Sequence, residues 1–495
     1  VQKKKPEVLW VALIPLALLA SACFLGGDDD PFFGDDDTII EDPTFEEPPT
    51  GPSMTDTRPE GLVKYDGARE QPVTRSVGGE DLAVYEQGSK VVASDATTDA
   101  LYFVNLDGAR FSHKATFDKG ANPGRIALAN EGVYVVLRDA GELALVGYDG
   151  ELKGKVDACA APRGVAYDTT REKVWVSCAS SEVVSFTPET LEKIDTFFVD
   201  SDLRDIAANE KGLYVARFRA AEVLSLNPEQ GTILDRRHAP SISGPSDTPS
   251  KDVNSLWRMT LDTQGRLLLG YQQTTSGRLT IIIEPNRDET SSPSGFGGYY
   301  GGGGSCGGTL SSVAAVVTLD PDGGMGDADA SCQAVGALPV DVDEDPCGGP
   351  MLLSASPKFS ANSRFRTPTN CVPNPEVTPI HTKLATAVYG RPASKFGVVT
   401  MVRSDKLYLA YAHDNQGTTY IDLDTNSAPH IGHTLFHGDT GFGLACASCH
   451  PEGGDDGHAW LFTTIDLAGG NPQVDFTRRT QNLRGGVKGK LHWSG

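Results

Sequence analysis

Positive charge is scarce in this 495-residue sequence: 43 Lys and Arg face 66 Asp and Glu, a formal net charge of -23 at pH 7. Nucleic acid and anionic lipid repel a surface of that sign, so neither is expected as a partner. Long hydrophobic runs are missing as well. The longest starts at Val8 and fades near Ala20, short of the roughly 20 residues a membrane-crossing helix needs, and Pro15 interrupts it. Methionine is sparse, and none of Met54, Met259, Met325, Met351 and Met401 lies in the last part of the chain. The one strongly glycine-rich stretch, SGFGGYYGGGGSCGG from Ser294, is followed by no G-K-S/T and opens no helical pattern, so it reads as a flexible loop rather than a phosphate cradle.

The N-terminus, VQKKKPEVLWVALIPLALLASAC, joins Lys3 to Lys5, a short apolar run and small residues, the three-part pattern of an export signal over residues 1–23. Its ending, Ala20-Ser21-Ala22-Cys23, resembles a bacterial lipobox with alanine where leucine is usual, which implies lipidation of Cys23. Phe24, rather than aspartate, follows it and points toward the outer membrane. The expected location is the cell envelope, at the outer membrane or in the periplasm, with the lipid as the only membrane attachment. Residues 24–60, rich in Asp, Glu, Pro and Gly, cannot bury enough apolar surface to offset their ordering entropy and should form a disordered acidic linker. Export puts the nine cysteines in an oxidising compartment. With Cys23, Cys446 and Cys449 set aside, Cys159, Cys178, Cys306, Cys332, Cys347 and Cys371 suffice for three disulfides, Cys159 with Cys178 being one candidate pair.

Beyond the linker lies an internal repeat. KVVASDATTDALYFVNLDG from Lys90, GVYVVLRDAGELALVGYDG from Gly132, KVWVSCASSEVVSFTPE from Lys173, GLYVARFRAAEVLSLNPEQG from Gly212 and KLYLAYAHDNQGTTYIDLDTN from Lys406 each hold two apolar strands around polar turns. A further short strand precedes most of them: GRIALA at Gly124, RGVAYD at Arg163, RDIAAN at Arg204 and WRMTLD at Trp257. A period near 40 residues with this content is that of a four-stranded propeller blade. These units resemble YVTN-type β-propeller repeats, which implies a mainly β fold of six or seven blades over residues 61–426, with a Gly- and Cys-rich insertion at about 286–394. Fold of this kind says little about chemistry.

Chemistry resides in the tail. Cys446-Ala447-Ser448-Cys449-His450 is the one C-x-x-C-H in the sequence. Covalent haem attachment needs two thiols that add to the porphyrin vinyl groups and an imidazole under the iron, and this spacing delivers all three on one helical turn. His450 would be the proximal ligand. A zinc site would need a second pair of ligands nearby, yet the nearest upstream cysteine is Cys371 and only His458 and His492 follow. A thioredoxin-like motif would need an α/β context that is missing. Haem c is therefore the expected cofactor, against half a zinc site or a simple disulfide loop. Seven of the ten histidines fall at or after His413, and no methionine follows the motif, so the sixth iron position is either open or filled by His458 or His492.

The segment GHTLFHGDTGFGLACASCHPEGGDDGHAW from Gly432, with RRTQNLRGGVKGKLHWSG from Arg478, resembles the N-terminal haem half of the bacterial di-haem cytochrome c peroxidase family. Leu435 and Phe436 match its L-F, Cys446, Cys449 and His450 its S-C-A-S-C-H, and Arg479, Thr480 and Leu483 its R-N-T-P-x-L-x-N, with Gln481 for the proline. Trp493 and Gly495 match its W-D-G, with Ser494 for the aspartate. The resemblance implies a small, mainly α cytochrome c-type domain over residues 427–495 and a role for Trp493 in passing electrons between haems. That family carries a second C-x-x-C-H on a following half-domain, which would begin beyond Gly495; the sequence thus reads either as a fragment of such an enzyme or as a single-haem electron carrier. The competing expectation is a non-enzymatic cell-surface propeller for adhesion or partner binding. The redox partner is not legible.

Overall fold

The strand-turn-strand spacing becomes a series of antiparallel sheets. A computed structural model describes residues 78–243, 250–283, 309–333, 337–345, 348–355, 359–361, 384–389, 398–403, 407–412, 418–424, 431–439, 444–466 and 474–484. Residues 1–23, read as an export signal ending at Cys23, and residues 24–60, read as a linker, lie outside the described residues. No described helix is long and apolar enough to cross a membrane.

Among the described residues seven antiparallel sheets follow one another along the chain. The first comprises Leu82–Tyr85, Lys90–Asp95, Ala100–Asn105 and Arg110–Thr116. The second runs from Pro123–Leu128 to Leu152–Asp157, the third from Pro162–Asp168 to Lys193–Phe198, and the fourth from Leu203–Ala208 to Ile233–His238. The fifth uses Lys251–Leu261, Leu267–Thr275, Leu310–Leu319 and Met325–Gln333; the sixth has three strands, Pro339–Glu344, Pro350–Ser354 and Phe359–Ala361. Leu384–Tyr389 opens the seventh and Thr418–Asp424 closes it. The first strand of each sheet packs against the first strand of the next, and Leu384–Tyr389 packs back on Leu82–Tyr85. Seven inner strands joined in a ring make each sheet a propeller blade.

Burial explains the strand sequences. An interior strand is covered on both faces by neighbouring blades, so Val133–Leu137 is buried throughout, whereas the rim strand Leu152–Asp157 alternates and is largely exposed. Close approach at the hub demands a small residue at Gly164, where a Cβ would stand 2.7 Å from both the Arg204 carbonyl oxygen and Ser177 Oγ. Cys159 and Cys178 are bridged, and Cys332 is also disulfide-bonded.

Two expected boundaries differ from the structure. Residues 286–394, read as an insertion, contribute the outer half of blade five, the strands of blade six and the inner strand of blade seven. The reason is visible in Pro339–Glu344, PVDVDE, where all six residues are buried although three are acidic; charged residues in a fully covered strand look like loop in the sequence. The segment 427–495 is not mainly α among its described residues. It has two short helices, α1 (Ile431–His437) and α2 (Cys446–Cys449), a 3-10 turn at Pro451–Gly453, and a hairpin of Ala459–Asp466 with Val474–Arg479. β-branched and aromatic residues in AWLFTTID and VDFTRR favour a pleated surface. That hairpin is completed by Leu279–Ile283, which leaves blade five between its second and third strands and pairs in parallel with Ala459–Asp466, Leu279 facing Phe462.

The hub is charged rather than apolar. Arg125 meets Asp205 at 2.9 Å, and Arg258 meets Asp81 and Asp341 at 3.0 Å each. The same three acids bind the following blade: Asp81 accepts from the Ile126 N–H, Asp205 from Met259 and Asp341 from Val388, at 2.8 to 3.1 Å. Arg403 sits between Glu80 and Asp95. Two buried carboxylates sharing one guanidinium cannot both stay ionised cheaply, and burial pushes Glu80 up to about 7. Asp341 is likewise raised to about 7 by burial.

Candidate haem-attachment site

The C-x-x-C-H forms one helical turn seated on the hub end of the propeller. Ser448 Oγ accepts the Ala445 N–H at 3.2 Å, and the His450 N–H closes the turn on the Cys446 carbonyl at 3.0 Å. Small residues between the cysteines have a structural use: Ala445 and Ala447 are buried in one cluster with Phe218, Trp257, Leu353 and Val388, against which Phe436 of α1 packs. Packing on the propeller thus turns the two thiols to different environments. Cys446 is exposed and Cys449 half-buried, and both are unbridged. Burial, helped by Asp456 and Cys446, pushes the Cys449 thiol up to about 12, so it is protonated at neutral pH.

His450 has one ring nitrogen committed. Its Nδ1 lies 2.8 Å from the Gln481 carbonyl oxygen, which can only accept, so Nδ1 carries the proton. In the neutral imidazole this tautomer leaves the lone pair on Nε2, the atom a metal-ligating histidine offers. Two thiols one turn apart followed by such an imidazole fit the donor set of a covalently attached haem.

The residues after the motif anchor it. Glu452 has φ 53°, in the left-handed region that non-glycine residues enter at a cost. Its carboxylate reaches Arg138 at 2.5 Å, Arg163 at 3.3 Å, Arg204 at 3.4 Å and Arg484 at 3.5 Å, while Arg484 Nε donates to its carbonyl at 2.8 Å. Burial alone would raise this carboxyl; Arg138 and Arg204 outweigh it and hold it at about 2. Further ties follow: Arg219 Nε donates to the Asp455 carbonyl and Asn254 Nδ2 to Asp456. Between this loop and blades three and four lies a cleft of about 270 Å³, lined among others by Arg163, Arg204, Arg219, Arg484, Asp202 and Glu452.

No protein-family model matches this chain, and no curated protein matches it. Among solved structures it is similar to hydrazine synthase from Kuenenia stuttgartiensis, at 10% identity over 70% of this chain and 80% of that one, with a TM-score of 0.40. It is also similar to U3-55K (10% identity, 71% and 97% covered, TM-score 0.41) and to streptogramin B lyase (9%, 72% and 87%, TM-score 0.34). Likenesses of that strength carry no argument, and the propeller assignment rests on the ring of blades.

Of the expected site residues, Cys446, Cys449 and His450 are contiguous on the docked loop. His458 is placed between Thr274, whose Oγ1 lies 3.3 Å from its Nδ1, and the Trp460 ring at 4.6 Å. Burial lowers its pKa. His492 and Trp493 lie outside the described residues. Among the described residues no three His, Cys, Asp or Glu side chains gather as they would around a metal ion. His437, one of the clustered histidines, is buried, with its Nδ1–H on the His433 carbonyl at 2.9 Å; burial and His433 lower it to about 4. Sequence reading missed Glu452 and its arginines. A partial signal existed: GRIALA, RGVAYD, RDIAAN and WRMTLD each carry an arginine on an inner strand, where a propeller with an apolar hub would not, and two of these, Arg163 and Arg204, reach Glu452.

Proposed function

We propose that this chain is an exported, lipid-anchored electron-transfer protein with one haem c on Cys446, Cys449 and His450, held against the hub of a β-propeller. The observation that carries this reading is the pair of unbridged thiols one helical turn apart, followed by an imidazole whose Nδ1–H is spent on the Gln481 carbonyl. When bound, the iron porphyrin supplies a one-electron couple. The chain's own residues do the rest. Cys446 and Cys449 would hold the porphyrin edge; His450 would offer Nε2, its ring oriented by the Nδ1 hydrogen bond to the Gln481 carbonyl. Buried Ala445, Ala447 and Ser448 keep water from beneath the loop, and Glu452 fixes it to four guanidiniums. His458 and His492 are the candidates for the second axial position, and Trp493 for an electron path. A second C-x-x-C-H encoded beyond Gly495 would extend the reading to the peroxidase-type enzyme that the sequence resemblance implies.

The test is a pyridine haemochrome spectrum and haem-stained gel of protein exported by cells with a cytochrome c maturation system. One haem per chain is expected, lost in the Cys446→Ser/Cys449→Ser variant, with His450→Ala altering the visible spectrum and potential. Colourless wild-type protein would leave the adhesion or partner-binding scaffold as the better account.

A further inference from the structure

The cleft beside the motif loop inverts the charge of its surroundings. In a chain of net charge -23, four guanidiniums, Arg163, Arg204, Arg219 and Arg484, line it against the two carboxylates of Asp202 and Glu452. Those two acids are already engaged. Glu452 is shared by Arg138, Arg163, Arg204 and Arg484. Asp202 accepts the Arg219 N–H at 2.8 Å and faces its Nη1 at 3.5 Å. A guanidinium has five N–H donors, and the ion pair of Arg163 with Glu452 uses one nitrogen at 3.3 Å. Arg204 sits deeper, its guanidinium stacked over Phe218 at 4.4 Å with its side chain 8% exposed, so charge there is poorly screened by water. Small volume and forked donors match a compact oxyanion rather than a polymer.

We propose that this cleft is an oxyanion site, taking a carboxylate- or phosphate-class group on Arg163, Arg219 and Arg484 with Arg204 supplying field from below. Planar guanidiniums bind such groups through paired N–H donors. Two sources share that chemistry: a small anion from solution, or a propionate of the haem itself, and only the second rests on the function proposed above.

The experiment titrates inorganic phosphate into the full chain by calorimetry at constant ionic strength set with chloride, using wild type, Arg163→Gln, Arg163→Gln/Arg219→Gln, and Arg236→Gln at the rim as a control. Saturable binding is expected, about tenfold weaker for each cleft guanidinium lost, as befits a charge-assisted hydrogen bond, and unchanged in Arg236→Gln. Thermal unfolding in chloride checks that the variants are folded. The Cys446→Ser/Cys449→Ser protein forms the second arm. Binding by it but not by haem-loaded wild type would support the site and name the propionate as occupant. No saturable binding in either protein, or equal affinity across the cleft variants, would overturn the proposal. Should the haem reading fail, wild type and the cysteine variant are both colourless and the titration still decides the site.

Discussion

Removing the charge of Glu452 should release the motif loop from the propeller. Glu452→Gln keeps the side-chain length and the left-handed backbone, so it isolates the ion pairs with Arg138, Arg163, Arg204 and Arg484. The Glu452 side chain is 13% exposed, and its carboxyl is held at about 2 against an ordinary 4.5. At 1.36 kcal/mol for each tenfold in acidity this corresponds to about 3 kcal/mol at neutral pH, the low end of the roughly 3–5 kcal/mol lost when one partner of a buried ion pair is removed. A depressed carboxyl stabilises above its unfolded pKa, so the contribution is complete above about pH 4.5 and fades as pH falls toward 2. The assay is amide hydrogen exchange across Ala459–Asp466 and Val474–Arg479, with Val133–Leu137 as an internal reference. Protection of the hairpin should drop about a hundredfold in Glu452→Gln at pH 7, and in wild type between pH 4.5 and 2.5, while the reference strand holds. A variant that exchanges like wild type would show that the arginines do not hold the loop.

The remaining outcomes concern single groups. In haem-free protein at pH 8, iodoacetamide should modify exposed Cys446 and leave Cys449 largely intact, because burial keeps that thiol protonated; equal rates read by mass spectrometry would contradict the packing described. Glu80, raised to about 7 by burial, stabilises the fold most when protonated, so its contribution falls as pH rises from about 4.5 to 7. Thermal unfolding of Glu80→Gln should lose that part of the slope, and an unaltered profile would place the hub proton elsewhere.

The blades were legible because their covering is regular. Strands such as Val133–Leu137 and Val174–Val176 are buried on both faces and therefore read as apolar runs, followed by short turns of small or polar residues, RDAG after the first and ASS after the second strand's end at Cys178. Blade six escaped because Asp341, Asp343 and Glu344 are buried, engaged by partners in neighbouring blades that no local window can contain. The tail was half legible. C-x-x-C-H marked it as a candidate haem site through its spacing alone, whereas its docking depends on Arg138, Arg163 and Arg204, far away in sequence and assembled only when the ring closes. Glu452 looked like one acid among many until its four guanidiniums were placed around it.

The parallel pairing of Leu279–Ile283 with Ala459–Asp466 has a consequence for how the chain is made. During synthesis the earlier strand emerges long before its mate, with the amides and carbonyls that will face Ala459–Asp466 unanswered while the remaining blades are made. An open edge of that kind invites pairing with another molecule. The tail strand Ala459–Asp466 therefore does more than lengthen the chain: it covers one side of Leu279–Ile283, and deleting it would leave that strand open to a neighbouring molecule.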